Sequence, residues 1–231
     1  MHNKRAVIFD MDGVIFDSEQ LVIDSWRKVA SLRKIEGIEE TCRRCLGTNS
    51  TMTRSIFLER YGPQFPYDDC QRELTALFRQ AVEEGRLGIK PGLLALLDYL
   101  KEKGYLIGLA SSTNRSNVEW ELSVAGLLSR FDHLTCGDML KKSKPEPDIY
   151  LMACQALNVL PANSFAIEDS YNGVRSASRA GLHTIMVPDL VAPDQEMEAL
   201  AAVILPSLNE VIAYLEEQSL KSRGKEALCT I

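Results

Sequence analysis

Two carboxylates set two residues apart, Asp10 and Asp12, follow the apolar run Ala6-Val7-Ile8-Phe9 and precede Gly13. A carboxylate can act as a covalent nucleophile, and a second one close by can give up and recover a proton. The same residues also suit a plain Asp-Gly turn, in which Asp accepts backbone amides and Gly takes a positive φ. Three later segments carry further polar groups in comparable places: Ser111-Ser112-Thr113 after Leu109-Ala110, Lys144-Pro145-Glu146-Pro147-Asp148, and Glu168-Asp169-Ser170 after Ala166-Ile167. Taken singly, Ser111 to Asn114 reads equally as a helix-cap segment. Glu168-Asp169 alone reads equally as a pair of acids drawn to the positive end of a helix.

The elements around these residues decide what they can do together. Four consecutive apolar residues before Asp10, with no polar alternation, predict a strand buried on both faces, as in a parallel sheet. Its carboxyl end is where open α/β sheets bind ligands. Val22, Trp26, Val29 and Arg33 share one helical face and predict a helix over Ser18–Lys34. Helical patterning continues over Glu39–Leu46, Met52–Tyr61 and Asp68–Glu84, broken at Gly62-Pro63 and Phe65-Pro66, with no strand expected between Asp17 and Gly88. From Lys90-Pro91-Gly92 onward strands and helices alternate. Strands are expected at Tyr105–Ala110, His133–Cys136, Ser164–Ile167, Thr184–Val187 and Ala202–Leu205, and a helix over Ser116–Ala125. The expected fold is α/β: a doubly wound, mainly parallel, Rossmann-like sheet with an inserted α-helical cap domain. Residues 1–16 and 89–218 form the expected core, 17–88 the cap, and 219–231 a polar, frayed C-terminal tail.

Composition excludes several classes of function. The 45% hydrophobic and 25% charged fractions are those of a globular chain of 231 residues that can bury a sizeable core. A net charge of −6 argues against nonspecific binding to nucleic acid or anionic membrane. No apolar stretch reaches the roughly 18 residues of a transmembrane helix. The first strand begins too early to leave room for a signal peptide, so a cytoplasmic location is expected. Six scattered cysteines fit reduced thiols, and Cys42-Arg43-Arg44-Cys45 lacks the second ligand pair of a zinc site.

In order and spacing the four polar segments resemble the four signature motifs of the haloacid dehalogenase-like hydrolases. The resemblance is to the branch of small phosphatases and β-phosphoglucomutases that carry a helical cap, and it spans Arg5 to Pro188. It implies that Asp10 is the nucleophile, forming an aspartyl-phosphate, and that Asp12 protonates the leaving oxygen and then activates water. Dehalogenases of this family lack an acid at the second position, so Asp12 points away from carbon–halogen chemistry. By the same resemblance Mg²⁺ is the cofactor, bound by the Asp10 side chain, the Asp12 carbonyl and the Asp169 side chain, with Glu168 behind them. Ser111 would offer its hydroxyl and Ser112 its amide to the phosphoryl group, and Lys144 would bridge nucleophile and phosphate. Lys141 and Lys142, off the Pro-x-Pro signature, are expected as solvated surface charges.

Substrate choice is expected to come from the cap, through Gly47, Thr48, Asn49, Ser50 and Arg54. Here the chain departs from β-phosphoglucomutase, which carries a histidine where Val22 stands and an arginine where Ser50 stands; Arg54 could replace the latter from the next turn. The function expected is Mg²⁺-dependent hydrolysis of a small phosphomonoester, a sugar or nucleoside phosphate. Two alternatives are a β-phosphoglucomutase using the same nucleophile and a phosphometabolite-binding regulator. The expected partner is a small phosphorylated metabolite, with no nucleic acid, no membrane and no obligate protein partner.

Overall fold

A computed structural model describes residues 4–45, 48 and 50–228. Its centre is a six-stranded, fully parallel sheet in the order β3-β2-β1-β4-β5-β6. The strands are β1 (Ala6–Phe9), β2 (Leu106–Ser111), β3 (His133–Cys136), β4 (Ser164–Glu168), β5 (His183–Met186) and β6 (Val203–Ile204). All four β1 residues are wholly buried, as their unbroken apolar run requires of a strand covered on both faces. Phe9 pairs with Leu109 on one side and Ile167 on the other, so the polar segments after β1, β2 and β4 emerge together at one sheet end.

Helices cover both faces. Val7 and Phe9 pack with α5 (Leu93–Glu102), α6 (Arg115–Val124) and α10 (Val211–Leu228). Ala6 and Ile8 point the other way, against α7 (Asp148–Leu157) and α8 (Tyr171–Arg179). A short helix, α9 (Gln195–Leu200), packs Met197 against Met186 of β5 and Val174 of α8.

Between β1 and α5 lie four helices and, among the described residues, no strand: α1 (Ser18–Arg33), α2 (Ile38–Cys45), α3 (Ser50–Tyr61) and α4 (Tyr67–Glu83). They enclose an aromatic core of their own, in which Trp26 stacks on Phe57 at 4.5 Å and Tyr67 meets Phe57 edge-on at 5.3 Å. The chain leaves and re-enters the sheet side by side. Asp17 donates its amide to Gly88 (2.9 Å), Lys90 donates to Ile15 (2.9 Å), and Phe16 bridges Ile89.

Two expectations need correction. The segment from Ser219, read as frayed tail, continues α10 to Leu228; Val211 and Leu215 bury its first turns and Lys221 pairs with Glu217 at 2.7 Å one turn back. The last strand is only the two residues of β6, Val203 and Ile204, paired to Ile185 and Met186. No described helix is long and apolar enough to cross a membrane.

Candidate active site

Asp10 stands one residue past β1, its amide bonded to the Ile167 carbonyl (2.9 Å), so its backbone is still held by the sheet. Lys144, buried and reaching in from the loop before α7, donates from Nζ to Asp10 Oδ1 (2.6 Å), Glu168 Oε1 (2.6 Å) and the Ala110 carbonyl (3.0 Å). Burial pushes the Asp10 carboxyl up to about 7; Lys144 opposes this, while Glu168 and Asp12 add to it. For Lys144 burial works against the charge, but Asp10 and Glu168 outweigh it and hold the ammonium above its ordinary range. Tyr150 completes the cluster from α7, its hydroxyl donating to Glu168 Oε1 at 2.6 Å.

Asp12 is held differently. Ser18 donates to Oδ1 (2.6 Å) and Thr113 to Oδ2 (3.2 Å), so both oxygens are oriented by hydroxyls from α1 and from the turn after β2. A carboxyl held in one orientation beside the nucleophile suits proton transfer. The open conformation at Gly13 (φ +78°) lets the chain turn there. A Cβ on Gly13 would also lie 2.2 Å from Asp169 Oδ2, so only glycine leaves room for that carboxylate. Gly173 does the same for Glu168, whose Oε2 lies 1.8 Å from where its Cβ would be.

Oxygens of Asp10, Glu168 and Asp169 lie within 4.8 Å of one another. Burial raises the Asp169 carboxyl well above its usual range, with Glu19, Asp10, Glu168 and Asp189 adding to the shift. Crowded hard oxygens whose mutual repulsion is relieved by a cation, in a recess that a missing Cβ keeps open, fit a divalent ion such as Mg²⁺. Glu168 is already engaged by Lys144 and Tyr150, so Asp10 and Asp169 offer the freer oxygens.

These groups open onto a cavity of about 1010 Å³ between the sheet end and the helices α1 to α4. Ser112 and Thr113 form its wall, whereas Ser111 is fully buried beneath, its Oγ accepting the Thr113 amide at 3.1 Å. Thr48 and Ser50 line the helical side; Gly47 and Asn49 lie outside the described residues. Arg54 does not reach the cavity, because it pairs with Asp68 and lies over the Tyr67 ring at 5.4 Å. Lys141, expected as a plain surface charge, borders the cavity. Cys42 and Cys45 are free thiols pushed up by burial to about 12 and about 11, so thiolate chemistry is not favoured there.

Sequence reasoning missed Ser18, Glu19, Thr113, Tyr150 and Asp189. Ser18 and Glu19 open α1 beside the acidic motif, and that proximity was the available signal. Tyr150 and Asp189 reach the site only through packing, with no local mark in the chain.

Comparison with known proteins agrees with this geometry. Residues 7–187 match the model of the haloacid dehalogenase-like hydrolase family. The chain is 32% identical over 219 residues to a phosphorylated carbohydrates phosphatase of Thermotoga maritima, covering 92% of this chain and 99% of that one. It is 32% identical to hexitol phosphatase B of Escherichia coli, covering 90% and 94%. A β-phosphoglucomutase structure from Clostridium difficile superposes with a TM-score of 0.78 at 26% identity, covering 95% of this chain and 98% of that one. The chain belongs to the haloacid dehalogenase-like hydrolases, as an enzyme of their β-phosphoglucomutase-like and phosphatase-like branch.

Proposed function

We propose that the protein is a Mg²⁺-dependent phosphatase that hydrolyses a small phosphomonoester, of the sugar- or nucleoside-phosphate class, through an aspartyl-phosphate. The observation that carries this reading is the pairing of Asp10, bound by Lys144 at 2.6 Å, with an adjacent Asp12 held by two hydroxyls. In it Asp10 attacks phosphorus in line and displaces the alcohol, whose oxygen takes the Asp12 proton. Asp12, now ionised, deprotonates the water that attacks the acyl-phosphate, which frees Asp10 and inorganic phosphate. Lys144 offsets charge on the transferring group, and Ser112, on the cavity wall, offers it a hydrogen bond, with Ser111 buried beneath and bonded to the Thr113 amide. Asp10, the Asp12 carbonyl and Asp169 would hold the Mg²⁺, which supplies charge neutralisation and polarises a phosphoryl oxygen. Residues 17–88 act as a cap that covers the site, with Thr48 and Ser50 facing the leaving group.

The likeness to a β-phosphoglucomutase favours a second reading, return of the phosphoryl group to the sugar. A bisphosphate intermediate needs a cation on the cap side. The described cavity lining has only Lys141 and Lys144 as cations, both from the sheet side, with Val22 and Ser50 on the cap. Hydrolysis is therefore preferred.

The test is a panel of phosphate esters with Mg²⁺, scored for phosphate release and for isomer formation. Phosphate release is expected to dominate, Asp10→Asn to abolish it, and Asp12→Asn to lower it by about 10²–10⁴-fold. Near-normal turnover by Asp10→Asn would end the covalent mechanism, and glucose 6-phosphate formed from β-glucose 1-phosphate without phosphate loss would establish the mutase.

A further inference from the structure

Six carboxylates gather at the carboxyl ends of β1, β4 and β5: Asp10, Asp12, Glu19, Glu168, Asp169 and Asp189. Two ammonium groups enter among them. Lys144 serves Asp10 and Glu168, and Lys90 binds Asp189 Oδ1 at 2.6 Å. With every group ionised the cluster holds a formal excess of four negative charges, and a phosphate dianion adds to it. One divalent cation between Asp10 and Asp169 brings the protein's own excess from four to two.

A second ligand set shares Asp169 with the first. Oxygens of Glu19, Asp169 and Asp189 lie within 4.8 Å of one another. The Asp189 side chain is only 9% exposed, and its Oδ2 is buried with no hydrogen-bond partner. This oxygen is aimed into the group: it lies 3.3 Å from the point a Cβ on Gly13 would occupy, and Asp169 Oδ2 lies 2.2 Å from the same point. A buried carboxylate oxygen left without a donor is costly unless something positive meets it.

We propose that Glu19, Asp169 and Asp189 hold a second divalent cation of the hard, oxygen-preferring class, with Asp169 shared between it and the cation on the Asp10 side. The proposal rests on the reading of Asp10 and Asp169 as ligands of that first cation. Hard ions take carboxylate oxygens, and a carboxylate has an oxygen to offer in each direction. Glu19 opens α1, whereas Asp169 and Asp189 follow sheet strands. The second ion therefore ties the first inserted helix to the sheet, which the Asp10-side ion does not.

The experiment is to strip the full chain with chelator and titrate it with Mn²⁺ at mildly alkaline pH, counting bound ions by the resonance signal of the free ion. Two ions per chain are expected for the wild type. Asp189→Asn and Glu19→Gln are each expected to keep one. Far-UV circular dichroism and unfolding transitions show whether each variant is folded. Glu19→Gln leaves the Lys90–Asp189 pair untouched and carries the test if Asp189→Asn unfolds. A single ion in the wild type, as a shared proton in place of the metal would give, overturns the proposal. So do two ions retained in both variants. Ion counting needs no turnover: two ions without phosphate release would remove the phosphatase reading and leave the second site standing, and release with one ion would do the reverse.

Discussion

Replacing Lys144 by Met keeps the length of the stem and removes the buried charge that faces Asp10 and Glu168. The ammonium makes two bonds of 2.6 Å to carboxylates and one of 3.0 Å to a carbonyl, with its side chain 6% exposed. Taking one partner from a buried ion pair costs about 3–5 kcal/mol when the remaining charge stays ionised. If the acids stay protonated, the loss falls to the lost hydrogen bonds, about 1–2 kcal/mol. Asp10 sets the pH window. Its pKa in the folded wild type is about 7, above the unbound value of 3.8, so folded chains bind an extra proton and stability falls as pH rises to about 7. Lys144 is the main influence holding that value down, so in Lys144→Met it climbs further. The variant then keeps losing about 1.4 kcal/mol per pH unit above pH 7, where the wild type has stopped losing on this account. Urea unfolding of metal-free protein from about pH 6 to about pH 9 should show the gap widening with pH. Adding Glu168→Gln should recover part of the loss, since the two side chains share one hydrogen-bonded cluster. A gap that stays flat across this range, or a double variant that merely sums the single losses, would refute the electrostatic account of Lys144.

Glu121 on α6 is 4% exposed, its Oε2 has no hydrogen bond, and burial raises its carboxyl to about 8, with Asp12 adding to the shift. Its folded value exceeds the unfolded 4.5, so stability is lost as pH rises through that window, and Glu121→Gln should stabilise by at most about 3 kcal/mol at pH 7. Unfolding curves should show this gain vanish toward pH 4.5; an equal gain there would assign it to packing. Gly13→Ala should weaken Mg²⁺ binding by more than tenfold in calorimetry, because its Cβ falls 2.2 Å from Asp169 Oδ2. Unchanged affinity would show that Asp169 is not a ligand. Trp26→Ala should cost about 3–5 kcal/mol and raise amide exchange first in α1 to α4, whose aromatic core it anchors. Uniform loss of protection across the sheet would show one cooperative unit instead of two.

What could be read from the chain alone follows from where each signal resides. β1 and the helices expected over Ser18–Lys34 and Ser116–Ala125 were legible because apolar runs and helical periodicity are local. The polar segments after β1, β2 and β4 were legible as a set because parallel pairing brings strand ends together. Tyr150 was not, since a tyrosine on the apolar face of α7 reads as core until Glu168 is found beneath its hydroxyl. Nor was the diversion of Arg54 to Asp68, which depends on how α3 packs beside α4. Ser111 shows a third limit, because order along the chain separates it from Ser112 by one residue but not the wall of the cavity from what lies beneath it.

The central place of β1 has a consequence for the order of events during synthesis. β1 is made before both of its neighbours, pairing with Leu106–Ser111 on one side and Ser164–Glu168 on the other. It must therefore stay unpaired while the next hundred or so residues are made, at about 5–20 residues per second. Its wholly apolar Ala6–Phe9 is exposed during that interval, when the sheet that will cover it does not yet exist. The aromatic core of α1 to α4, by contrast, is complete once Leu77 has emerged and needs nothing from later in the chain. The insertion thus has the means to fold as the nascent chain's first packed unit, holding the two ends of its own stretch, Phe16 and Ile89, near each other before β2 is made. Nascent chains arrested near residue 100 should resist proteolysis across the four helices while remaining open before Phe16.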